Sequence, residues 1–229
     1  MSFEIALQNA LLAEGKEGNF VAYRSFCERL TEAIENLVQN PASDSHSNLL
    51  ECAFYSNWNE TKEGPHDVAT LGQGRSAFPA LNRPTDAEGH YVFSDLARVA
   101  HAFREAMGRA ATLEEKCHAF CAYKAAFKNV CRDPNGEPLA ADAPHIHRIA
   151  ATLFPELLIP MPVSSVINAL YQELKSYLPP NTLLQKIPEA KWFLQSHDIM
   201  GLFAKTAPAE DRYKLGHCAW RVKDFIHHK

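Results

Sequence analysis

Residues 19–41 read NFVAYRSFCERLTEAIENLVQNP, and this stretch decides the fold. Ala22, Tyr23, Phe26, Cys27, Leu30, Ala33, Ile34, Leu37 and Val38 recur at three- and four-residue spacing. That period lays one apolar face along about five turns of α-helix. Asn19 opens the helix and Asn40-Pro41 stops it, because a residue before proline is pushed out of the helical region. A shorter helix precedes it, with Ser2 in the cap position and Phe3, Ala6, Leu7, Ala10 and Leu11 on one face, ending near Gly15.

The same period returns at Ser94 and continues to the end of the chain. Ser94 opens a helix carrying Leu96, Val99, Ala100, Phe103 and Met107, closed by Gly108. Thr112 and Glu115 form a capping-box pattern, in which each side chain answers the other residue's free N–H. The helix behind them buries Leu113, Cys117, Phe120, Cys121, Phe127 and Cys131. Further helices are expected from Asp142 and Pro144 to Phe154, from a Ser164 or Ser165 cap to Leu178, and from Pro188 to Phe203. A last one starts over Thr206 to Asp211, with Leu215, Cys218, Ala219, Val222 and Ile226 inward. The expected fold is therefore all-α: a single domain over residues 1–229, a bundle of about eight helices.

Between the two helical parts lies an irregular excursion, residues 40–93. It holds Gly64-Pro65, Gly72-Gln73-Gly74, Phe78-Pro79, Arg83-Pro84 and Gly89, each a turn or breaker signal. Val68 to Leu71 and Tyr91 to Phe93 have the pattern of a small β-hairpin. A stretch this long without a period inside a compact domain usually carries function.

Composition bounds the function. Hydrophobic residues are 46% and charged residues 22% of 229, the ordinary globular range, and the net charge is −4. Residues 1–93 hold 6 Lys/Arg against 13 Asp/Glu, a balance of −7. Phosphate neutralisation needs clustered cations, so a polybasic nucleic-acid binder is excluded, and nucleic acid is left only for the C-terminal half. No run reaches the 18 or so apolar residues a membrane helix needs, and no signal peptide is visible. Six cysteines, mostly at apolar helical positions, are expected to be free thiols of a cytoplasmic protein.

Two short constellations bear on catalysis. Arg212-Tyr-Lys-Leu-Gly-His217 resembles the Arg-to-His motif of HEPN-type helical ribonucleases. The resemblance implies a metal-independent ribonuclease with His217 as acid/base and Arg212 as phosphate partner; Tyr213 departs from the polar residue that family favours. Gln195-Ser-His197-Asp198-Ile-Met-Gly201 resembles the His-Asp signature of the HD phosphohydrolases. That resemblance implies a metal-dependent phosphohydrolase, with His197 and Asp198 as ligands and His147 and Asp224 completing the set. Each resemblance covers a few residues only. Cys117, His118 and Cys121 sit within one helical turn, whereas structural zinc sites need the chain to bend around the ion.

No cofactor and no metal is expected, and the reading leans against an enzyme. The expected function is that of a helical interaction or regulatory protein binding another macromolecule, most naturally a protein. Its binding surface is the excursion, residues 48–93, where Tyr55, Trp58, Arg75, Phe78 and Arg83 supply the aromatic and arginine side chains that dominate hot spots.

Overall fold

The computed structural model describes residues 2–17, 19–41, 94–130 and 144–227. Among these, 80% are helical, and there are ten α-helices and no strand. They are α1 (Phe3–Glu17), α2 (Asn19–Gln39), α3 (Ser94–Arg109), α4 (Leu113–Val130) and α5 (Pro144–Leu153), then α6 (Ser164–Leu174), α7 (Leu183–Lys186), α8 (Lys191–Thr206), α9 (Arg212–His217) and α10 (Ala219–His227). A 3-10 turn, Pro188–Ala190, leads into α8. The all-α expectation holds for the described residues. The hairpin expected within the excursion lies outside them.

Two helices exceed the expected eight. Leu183–Lys186 forms a single turn that periodicity did not register, and the final helix is divided at Cys218 into α9 and α10. Gly216 stands just before this division. A Cβ there would meet Met200 Cε and Pro160 Cδ, both at 3.2 Å, so the glycine lets α9 pack closely on α8 and on the chain after α5.

Helix α2 is the hub. It packs against α3, α5, α9 and α1, while α10 covers α1 and α6 lies on α8. Its stripe is buried as the period requires, with Tyr23, Phe26, Leu30 and Ile34 each fully enclosed. Helices α3 and α4 make a tight hairpin. Its turn is fixed by the expected capping box: Glu115 Oε2 accepts from Ala111 N at 2.7 Å and Thr112 N at 2.9 Å, and Thr112 Oγ1 accepts from Glu115 N at 3.2 Å. The serine cap expected for α6 does not form. The N-cap is Val163, which offers no side-chain acceptor, and Ser164 is the first helical residue.

An aromatic cluster fills the centre. The Phe120 ring lies 5.2 Å from Phe193, 5.8 Å from Trp192 and 6.2 Å from each of Phe103, Tyr123 and His147. His147 stacks parallel on Trp192 at 4.2 Å.

Residues 155–163 connect α5 to α6 through the interior, with Leu158, Ile159 and Met161 fully buried. Prolines 155, 160 and 162 bring no N–H; Leu157 N and Leu158 N donate to Phe154 O and Met161 N to Ile159 O, and further polar backbone is met by side chains. Trp192 Nε1 donates to Met161 O at 2.9 Å, His147 Nδ1 bonds Pro162 O at 2.7 Å, and Ser196 Oγ accepts from Ile159 N at 2.7 Å.

Candidate functional site

The C-terminal helices position the first candidate pair. Asp211 caps α9, its Oδ1 accepting from Tyr213 N at 2.8 Å, and its other oxygen pairs with Arg24 of α2. Arg212 follows at the first helical position and is exposed. Five positions later His217 stands about 140° further round the helix. It points inward, with 8% of its side chain exposed. The structure therefore does not bring Arg212 and His217 together.

His217 meets Glu14 instead. Its Nδ1 lies 3.0 Å from Glu14 Oε1, Arg221 Nε lies 3.3 Å from Glu14 Oε2, and Phe20 N donates to Oε1 at 3.1 Å. The carboxylate is completely enclosed. Burial alone would raise its pKa; the bond and charge of His217, then those of Arg221, outweigh burial and hold Glu14 below its ordinary value. This buried cluster joins α1 to α9 and α10.

The second candidate pair is on α8. His197 Nδ1 lies 3.6 Å from Asp198 Oδ1, and the ring stacks 6.3 Å from Phe193. Asp198 Oδ2 accepts from Asn181 Nδ2 at 2.8 Å and from the Tyr171 hydroxyl at 3.4 Å. His147 is fully buried, and because Pro162 O can only accept, its Nδ1 carries the proton. Asp224 is exposed on α10. Among the described residues no group of three or more His, Cys, Asp or Glu is placed to hold a metal ion, so His147, His197, Asp198 and Asp224 are not gathered into one site.

Cys117, His118 and Cys121 diverge: Cys117 is buried, Cys121 half-buried and His118 exposed. Cys27, Cys117, Cys121 and Cys218 are free thiols. Burial pushes the Cys117 thiol up to about 12 and raises Cys27, Cys121 and Cys218 as well. Alkylation of the native chain, followed by mass spectrometry, is expected to modify Cys121 first of these four and to leave Cys27 and Cys218 unmodified until the chain unfolds. Early modification of Cys27 would show that α2 does not bury it.

Tyr55, Trp58, Arg75, Phe78 and Arg83 all lie outside the described residues. Sequence reasoning missed the Glu14 cluster, although a signal was there: Glu14 continues the stripe of Phe3, Leu7 and Ala10. Lys124 likewise continues the stripe of Cys117 and Phe120. It is buried, and its Nζ donates to Glu189 O at 2.8 Å across to the 3-10 turn.

Compared with known proteins, the chain matches no family model, no curated protein and no solved structure.

Proposed function

We propose that this chain is a helical interaction protein that binds another macromolecule, a protein partner, through residues 48–93 and the adjacent face of the bundle. One observation carries the reading: two of the histidines that would have to do chemistry are used in packing. His217 is turned inward onto Glu14 and His147 is stacked on Trp192. The third, His197, has 29% of its side chain exposed with Asp198 beside it, but no third ligand among the described residues. A general acid or a ligand set has to reach a substrate or an ion. The excursion offers the complementary argument. It places aromatic and arginine side chains within an acidic part of the chain, a composition that suits a protein surface with basic character.

The adjacent bundle face is the shallow groove between α3 and α4, which the chain meets as it resumes at Ser94. Its volume is about 390 Å³, and Val99, Ala102, Ala106, Ala119 and Ala122 line it beside Asp95 and Arg98.

The test compares single Ala replacements of Trp58, Arg75 and Phe78 with the parent chain in native capture of one isolated partner. Each is expected to weaken capture by roughly 30-fold, the effect of losing a hot-spot residue, with the thermal midpoint unchanged. RNA- or phosphoester-cleaving turnover that disappears on His217→Ala or His197→Ala would overturn the reading.

A further inference from the structure

After α6 the chain turns through Pro179 and Pro180, and a cleft of about 560 Å³ opens between this turn, α7 and the start of α8. Its wall carries Lys175 and Lys191, both exposed, together with Tyr171, Asn181 and Gln195. No carboxylate lines it. Two other clefts among the described residues differ in this respect. The α3–α4 groove sets Asp95 beside Arg98, and a third cleft mixes Glu35, Glu105 and Glu156 with Arg104 and Lys116. Among the described residues neither Lys175 nor Lys191 has an ion-pair partner. The first turn of α8, at the same wall, contains no acidic residue. The residues that line the cleft therefore carry two positive charges and no negative one, and the Asp198 carboxylate lies behind the wall.

The neutral donors of this wall are fixed from behind. Asp198, with 8% of its side chain exposed, holds Asn181 and the Tyr171 hydroxyl. Asn181 Oδ1 also accepts from Leu183 N at 3.0 Å, which ties the turn to α7. Gln195 Nε2 donates to Asn168 Oδ1 at 2.9 Å, fixing the amide against α6. A wall ordered in advance loses little conformational freedom when a ligand arrives. Gln172, Thr182 and Gln185 complete the polar lining, and Leu178, Pro179, Pro180 and Leu184 supply the apolar surface.

We propose that this cleft binds a small organic phosphate: a phosphate monoester whose charge is answered by Lys175 and Lys191, on a ring-shaped body that lies against Leu178, Pro180 and Leu184. Lysine is a point-charge partner for phosphate, and the cleft volume falls in the range of small-molecule sites. The site uses no residue of the excursion and shares no lining residue with the α3–α4 groove.

The test is a titration of the isotopically labelled full chain with AMP and, separately, with adenosine, followed by nuclear magnetic resonance at low ionic strength. AMP is expected to shift the amides of Lys175, Asn181 and Lys191 with a Kd on the order of 1 mM or tighter. Adenosine, with the ring but no phosphate, should bind at least about tenfold more weakly, and added salt should weaken AMP. The double variant Lys175→Ala/Lys191→Ala should lose about tenfold in AMP affinity at an unchanged thermal midpoint, since both side chains are exposed. Absence of AMP shifts, equal binding of adenosine, or AMP binding that survives the double variant would each overturn the assignment.

Discussion

Glu14→Ala is expected to lower the unfolding free energy by about 3–5 kcal/mol, the cost of removing one member of a buried charged cluster. The carboxylate is fully enclosed, and its loss removes the group that both the His217 ring and the Arg221 guanidinium contact. The Phe20 N–H loses its acceptor as well. Arg221 keeps about a third of its side chain in water, which favours the lower end of that range. Urea denaturation measures the change directly, and a loss under about 1 kcal/mol would mean the cluster does not hold α1 in place. The sign of the pH dependence follows from the lowered pKa of Glu14. A carboxyl group held below its unfolded value contributes stability above that value, near pH 4, and loses it as the pH falls through the folded value. Acidification should therefore destabilise the parent chain more steeply than Glu14→Gln, which cannot titrate.

Phe120→Ala is the second change expected to have a large effect, about 3–5 kcal/mol, because it removes a whole aromatic side chain from a fully buried position. Phe120 joins three parts of the chain: Phe103 on α3, His147 on α5, and Trp192 with Phe193 on α8. None of these neighbours can close the cavity without giving up another ring contact, so relaxation recovers little. Lys124 Nζ lies 5.6 Å from the same ring and would lose a cation–π contact too. Equilibrium unfolding with a fluorescence readout from Trp192 and Trp220 follows both stability and the local environment. A change below about 1.5 kcal/mol would show that the cluster repacks freely.

The period of three and four residues located the major helices because burial on one face is what that period encodes. Helix α2 ends at Gln39, before Asn40-Pro41, because proline excludes the continuation. The period locates α5 as well, but it does not say how far burial extends around a helix. Every described side chain from Ile146 to Leu153 is buried, and Arg148 among them is almost completely enclosed. Burial lowers the Arg148 pKa to about 10. The divided last helix was not legible either, because Gly216 reads in sequence as a mild cost and only the approach of Pro160 and Met200 explains it. For the candidate site, the motif spacings were correct as strings. Spacing along a helix nevertheless fixes direction, and five residues send Arg212 and His217 to different sides. Glu14 was legible as a charge on an apolar stripe; its side-chain partners His217 and Arg221 lie more than 200 positions away and could not be read locally.

The buried connector between α5 and α6 bears on the order in which the molecule assembles. Beyond short local backbone bonds, its backbone partners are side chains of His147, before it, and of Trp192 and Ser196, well after it. Residues 155–163 thus have few hydrogen bonds to make among themselves, and contacts so distant in sequence become favourable only once the intervening loop is closed. Helices α5 and α8 must meet before this strip of chain has a settled path. What looks in sequence like a simple join is expected to settle late in folding, after α5 and α8 have met.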